Sequence, residues 1–152
     1  MQAERPAVLI RAADWSVDEA ALAYVRRRVF IEEQAVPEDL EWDGEDAGAQ
    51  HWLALIDEGP VGTVRMRAGG HIGRMAVLKQ QRQSGIGSLL LAAAISAARA
   101  QGLDEVLLHA QVQALDFYAR HGFIAEGEEF MDAGIAHLEM RLRFGANALA
   151  AR

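Results

Sequence analysis

The sequence predicts an α/β fold in one domain: a mixed, largely antiparallel twisted sheet with a central βαβ unit. Three observations predict it. The chain has 152 residues, the size of one core, and its apolar fraction of 51% is enough to fill one. Short β-type stretches recur between turn signals. One long apolar helix pattern, opening at Gly85, sits between two of those stretches. No repeat, low-complexity linker or composition shift divides the chain. The domain is expected to fill residues 1–152, with a core over about 8–143 and a frayed tail over 145–152.

The elements follow in order. Val8–Arg11 reads as a short strand. Ser16-Val17-Asp18-Glu19 is a capping box that opens a helix, with Leu22, Val25 and Val29 along one face. Pro37 ends that helix or starts a short second one. Trp52–Ile56 is a buried strand, Asp57–Pro60 a turn, and Val61–Arg67 an antiparallel return strand. Gly69-Gly70 breaks the chain before a strand over Ile72–Leu78. Gly85–Ala100 is a helix whose inner face is read as Ile86, Leu89, Leu90, Ala93, Ala94 and Ala97, with Gly102 as its stop. Val106–Leu108 is wholly apolar, as a strand covered on both faces would be. Ala114–His121 is a short helix ended by Gly122. Phe123–Phe130 and Ala136–Arg143 are the last two strands, around a turn at Asp132-Ala133-Gly134.

Composition excludes several functions. The absence of cysteine removes disulfides, thiolate metal sites and cysteine nucleophiles, and fits a reducing compartment. Residues 1–10 lack signal-peptide architecture, and the longest uncharged run, Gln83–Ala98, is too short to span a membrane, so a cytoplasmic protein is expected. A net charge of −7 without a basic stripe argues against a nucleic-acid partner. The histidines at 51, 71, 109, 121 and 137 show no metal-binding spacing, and His137-Leu138-Glu139 lacks the cysteines a zinc deaminase requires. Acidic residues crowd the stretch between Arg28 and Arg65, which contains no lysine or arginine. That stretch reads either as a solvated acidic loop or as a surface that attracts a cationic substrate.

Arg82-Gln83-Ser84-Gly85-Ile86-Gly87-Ser88 carries the chemistry. It has neither the lysine and spacing of a Walker loop nor the third glycine of a dinucleotide fingerprint. What remains is a turn whose side-chain-free positions let backbone N–H groups approach an anion at a helix N-terminus. Arg82 adds a positive charge.

Taken with its neighbours, the stretch from about Val8 to Arg143 resembles the GNAT superfamily of acetyl-CoA-dependent N-acetyltransferases. The loop matches that family's pyrophosphate motif. Arg74-Met75-Ala76-Val77 looks like its thioester-binding strand, and Ala114 to Phe123, with Phe117-Tyr118, like its second cofactor segment. Val29-Phe30-Ile31-Glu32-Glu33-Gln34, Pro37, Glu41-Trp42-Asp43, Asp46 and residues 134–140 resemble the ElaA-like bacterial members. The resemblance implies the GNAT fold with two splayed central strands, Ile72–Leu78 and Val106–Ala110, and acetyl-CoA as co-substrate without a metal. Its pyrophosphate would lie on residues 82–88, and its pantetheine arm beside Met75, Ala76, Val77, Phe117 and Tyr118. Many members carry an Asn before the second cofactor helix. Here Gln111 or Gln113 stands in, and Gln111 is taken as the cofactor contact.

The implied reaction is acetyl transfer to a primary amine of a small molecule or peptide by direct attack on the thioester. A backbone N–H near Val77 would serve the oxyanion, and Tyr118 would protonate the departing thiolate. The amine's proton acceptor is sought among Glu32, Glu33, Glu41, Asp43, His71 and His137. Family analogy and the acidic run favour Glu33 and Glu41. Glu33, Trp42, His71 and His137 are expected to line the acceptor pocket. The alternative is a catalytically silent acyl-CoA-binding sensor or interaction module. A homodimer through the apolar final strands is one arrangement; the other has the chain covering its own edge.

Overall fold

The computed structural model describes residues 7–145; the expected tail beyond Gly145 lies outside the described residues. Seven strands form one sheet: β1 Val8–Ala13, β2 Gln50–Ile56, β3 Gly59–Arg67, β4 His71–Val77, β5 Glu105–Gln111, β6 Ile124–Asp132 and β7 Ile135–Arg143. Their spatial order is β1-β2-β3-β4-β5-β7-β6. Every pairing is antiparallel except β4 with β5, the two strands joined by the crossover helix. The mixed sheet with one central βαβ unit is therefore the observed architecture.

Helix α1, Trp15–Arg26, is capped two residues earlier than the capping box suggested. The Asp14 side chain accepts from the Ser16 N–H, and the Asp14 N–H donates back to Asp18 at 2.9 Å. Ser16 is a donor to the cap, not the cap itself. From Arg27 to Glu33 the helix widens into a π-helix, with the Gln34 N–H reaching the Val29 carbonyl at 3.1 Å. Such wide turns cost hydrogen-bond geometry and concentrate at functional positions. Here Val25, Val29 and Phe30 all pack on Ala76 of β4. A single turn, α2 Glu38–Glu41, follows Pro37.

Helix α3, Ile86–Ala100, covers the opposite face of the sheet. Its buried stripe is Ile86, Leu90, Leu91, Ala94 and Ala98, whereas Leu89 is 49% exposed. The expected face is thus rotated by about one residue. A helix so rich in Ala and Leu leaves its stripe poorly marked, and the sheet decides it. At Gly62 an added Cβ would lie 2.9 Å from a Leu90 methyl, so this glycine sets how closely α3 approaches β3. The short helix α4, Leu115–Arg120, follows β5.

Strand β5 is longer than its apolar run, and it is not covered on both faces. Val106, Leu108 and Ala110 are buried under α3, while His109 and Gln111 alternate with them and face an open cleft. No helix among the described residues is long and apolar enough to cross a membrane.

Candidate active site

Strands β4 and β5 pair only at His71 with Leu107 and Ile72 with Leu108. Beyond that point they diverge, and a cleft of about 870 Å³ opens in the gap and onto the sheet face below α1 and α2. A bulge opposite β3 accompanies the divergence, with Arg74 at φ 48. After the bulge the ladder resumes: the Leu78 N–H donates to the Val61 carbonyl at 2.9 Å. Antiparallel pairs alternate, so Val77, one residue earlier and opposite Gly62, turns its backbone groups away from β3 and into the gap. Its carbonyl accepts from Arg82 Nε at 2.9 Å.

At one end of the gap the chain forms a backbone cradle. Gln83 and Gly85 both adopt positive φ, 64 and 87, which turns the backbone sharply before α3. No side chain caps the helix at Gly85, so the first-turn N–H groups of Ile86, Gly87 and Ser88 lack intrahelical partners and carry the positive end of the helix dipole. A Cβ on Gly87 would press within 3.4 Å of Phe117, narrowing the space over those groups. Arg82 is not free: its guanidinium binds both Glu33 carboxylate oxygens at 2.6 Å. Its hydrogen bond holds the Glu33 carboxyl below its ordinary range. Gln83 is on the cleft wall, but Ser84 is not; its hydroxyl donates to the Gln81 carbonyl.

Across the gap stands Tyr118. Its ring meets Phe117 and Phe123 edge-on, at 5.1 and 6.0 Å. Burial pushes its phenol up to about 12, so it stays protonated and able to donate. Of Gln111 and Gln113, it is Gln111 that lines the cleft. It donates to Gln34 at 2.9 Å and accepts from Gln113, so its amide is already oriented.

The acidic stretch behaves unlike a lure for cations. Arg26, fully buried, donates to Glu41 at 2.8 Å and Asp46 at 2.6 Å. Arg65 binds Asp43 at 2.9 Å and Asp46 at 3.1 Å. Arg74 donates to the Glu41 carbonyl at 3.0 Å and to Asp43 at 3.2 Å, and its Nε lies 3.1 Å from the Glu41 carboxylate. Three guanidiniums and three carboxylates cancel one another. Burial pushes Glu41 up against the pull of Arg74 and Arg26. Asp43 and Asp46 are held below the usual range despite burial, chiefly by hydrogen bonds from Arg65 and Arg26 respectively. Trp42 is not on the cleft wall; it packs over Arg26 at 5.0 Å and Arg27 at 5.6 Å.

From the level where β4 and β5 still pair, a row of side chains runs obliquely across the sheet toward the open gap: Arg67, His71, His109 and His137, with Phe130 beside them. His71 meets His109 edge-on at 4.9 Å, His109 meets Phe130 at 5.0 Å, and Phe130 stacks on His137 at 5.8 Å. Arg67 Nη2 donates to His71 Nδ1 at 2.7 Å. Burial and the Arg67 charge push His71 down to about 4, so this imidazole is neutral. His109 Nε2 lies 3.4 Å from the Glu139 carboxylate. Sequence reasoning found His71 and His137 but missed Arg67, His109, Phe130 and Gln34. For Arg67, His109 and Phe130 the signal was period-2 alternation, readable on each strand but not across unknown partners, and Gln34, at the end of the π-helix, had no such signal.

Residues 12–144 match the model of the acetyltransferase (GNAT) domain. The chain is 40% identical over 121 residues to the uncharacterised N-acetyltransferase YjcF of Bacillus subtilis, which covers 77% of this chain and 86% of that one. Its fold is similar to that of an acyl-CoA N-acyltransferase from Pseudomonas aeruginosa: TM-score 0.79, 30% identity, 90% of this chain and 99% of that one. It is also similar to Escherichia coli ElaA: TM-score 0.81, 26% identity, with 89% and 99% covered.

Proposed function

The chain belongs to the GNAT acetyltransferase family, and from that premise we propose that it transfers the acetyl group of acetyl-CoA to a primary amine of a small molecule or peptide. The observation that carries this reading is the gap between β4 and β5, with an uncapped helix N-terminus at one end and a protonated phenol beside it. The residues present suit acetyl-CoA: the backbone cradle over residues 85–88 takes a pyrophosphate, and the unpaired strand edges take an extended amide-bearing arm.

Acetyl-CoA, when bound, supplies the activated acyl thioester. The inward backbone of Val77 offers an N–H to the oxygen that gains charge as the amine nitrogen attacks the carbonyl carbon. As the C–S bond breaks, Tyr118 gives its hydroxyl proton to the sulfur, and solvent reprotonates the phenolate. Glu33 and Glu41 are both committed to guanidiniums, and His71 holds its Nδ1 lone pair on Arg67. Of the two remaining cleft-wall imidazoles, His109 and His137, we assign the amine's proton to His109, because the Glu139 carboxylate lies 3.4 Å from its Nε2 and positions it. His137, on the cleft wall with its Nδ1 on the Ile135 carbonyl at 2.7 Å, shapes the acceptor side.

Release of free thiol from acetyl-CoA with a panel of amines tests the activity, and calorimetry tests binding. Tyr118→Phe should lower kcat by about 10²- to 10⁴-fold while changing acetyl-CoA affinity little. Tight binding without turnover on any amine would instead make the chain an acyl-CoA-binding module.

A further inference from the structure

Five arginines line the cleft among the described residues: Arg65, Arg67, Arg74, Arg82 and Arg120. Arg65 and Arg74 are neutralised by Glu41, Asp43 and Asp46, and Arg82 by Glu33. Arg120 closes α4 beside His121, which touches Ser88 of the backbone cradle, so it belongs to the cofactor end. Arg67 differs from all of these. It is half-buried on the sheet face at the opposite end of the cleft, and no carboxylate lies within 4.0 Å of it among the described residues. Its one hydrogen-bonding neighbour is the neutral imidazole of His71, which adds no negative charge. The remaining guanidinium donors are unengaged. The nearby Glu139 is held by Arg141 at 2.9 Å, and Asp132, the last residue of β6, pairs with Ile135 beyond the His137–Gln111 level, at the open end of the gap away from Arg67.

We propose that the amine acceptor carries a carboxylate, and that Arg67 docks it. This deepens the acetyltransferase reading and rests on it. A half-buried guanidinium with free donors in a fork fits a carboxylate through two parallel hydrogen bonds. One uncompensated charge balances a monoanion. A phosphate dianion would need a second cation, and the other arginines nearby on the cleft wall, Arg65 and Arg74, are already neutralised. Position also limits the acceptor's shape. Arg67 pairs with His71, and the thioester strand is centred near Ala76, five residues along β4. The bulge makes those five residues span only four of β3, from Arg67 to Thr63, which at roughly 3.3 Å per residue is about 13 Å of strand. The reach of the arginine shortens it by several ångströms, which still leaves a span of several bonds. The acceptor class is therefore an ω-amino acid or a short peptide with a free C-terminus, and not an amino acid acetylated at its own α-amine. The ring row of His71, His109 and Phe130 forms the floor between the two ends.

The test compares aminohexanoate with aminohexanamide, hexylamine, triglycine and glycine as acceptors, in wild type and in Arg67→Gln and Arg67→Lys. In wild type, kcat/KM for aminohexanoate should exceed that for aminohexanamide and hexylamine by about tenfold or more, and glycine should fall with the poor acceptors. Arg67→Gln should collapse the aminohexanoate-to-aminohexanamide ratio toward one, and Arg67→Lys should retain part of it. A ratio is unaffected by a partly inactive preparation, and calorimetric binding of acetyl-CoA reports the folded fraction of each variant. Equal use of the amide and the acid by wild type, or a preference that survives in Arg67→Gln, would overturn the proposal. If no amine is turned over, the acetyltransferase reading fails. Saturation-transfer NMR in the presence of CoA then decides the docking separately: aminohexanoate must bind in preference to aminohexanamide, and Arg67→Gln must abolish that preference.

Discussion

Arg26→Met removes the centre of the buried ionic cluster and keeps most of the side chain's volume. The arginine makes hydrogen bonds to Glu41 at 2.8 Å, to Asp46 at 2.6 and 3.3 Å, and to the Glu41 carbonyl at 3.3 Å, and Trp42 covers its plane. Deleting one partner of a buried ion pair typically costs about 3–5 kcal/mol, because the other charge is left without compensation. Here each carboxylate keeps a second cation: Glu41 keeps Arg74, and Asp46 keeps Arg65 at 3.1 Å. The loss should therefore fall near the lower end, about 3 kcal/mol. For a chain of this size that lowers Tm by roughly 6–12 °C. Urea unfolding followed by far-UV circular dichroism would measure it. The double variant Arg26→Met/Glu41→Leu should recover part of the loss, since burying neither charge is cheaper than burying one. A loss under about 1 kcal/mol for the single variant would refute the claim that the arginine supports these carboxylates.

Three other expectations are independent of that cluster's centre. Gly87→Val should weaken acetyl-CoA binding at least tenfold by calorimetry, because the side chain must crowd Phe117 over the backbone cradle, while Tm changes little. His109→Gln should lower kcat by about 10²-fold or more with acetyl-CoA affinity little changed, and Glu139→Gln should lower kcat by less. Stability should also fall with acid. Asp18, Asp43 and Asp46 have folded-state values below their unfolded ones, so the stability they add is present above about pH 4 and is lost as pH drops further. Glu41 is shifted upward and has the opposite sign, offsetting part of the effect at low pH. A urea midpoint that stays constant from about pH 5 to pH 2.5 would contradict this balance.

The half of the site proposed to hold acetyl-CoA could be read from the sequence because it is local. Gly85 and Gly87 announce a backbone that must turn and be approached closely, and the loop, helix and preceding strand are contiguous. Tyr118 was legible for the same reason, lying seven residues after β5 ends at Gln111 on a helix marked by its own stop signal. The acceptor half was not. Glu41, Asp43 and Asp46 read as a run of bare acids because their cations, Arg26, Arg65 and Arg74, come from three other elements. The pairing of those elements is set by sheet order, not by spacing along the chain. Arg67 and His109 lie 42 residues apart on strands separated only by β4, and no single-strand pattern brings them together.

The internal pairing of the acids changes what their abundance means. A net charge of −7 and the acidic stretch left two readings, a solvated loop or a surface that draws in a cation. Every carboxylate of that stretch on the cleft wall is instead bound to an arginine, and the uncompensated charge at the acceptor end is positive. An acetyltransferase that gathered its amine by negative charge would stabilise the ammonium form, which cannot attack a thioester. Anchoring the acceptor through an anion at the far end avoids that penalty. The binding energy then falls on a group that takes no part in the bond changes, and the amine is left beside an imidazole that can take its proton.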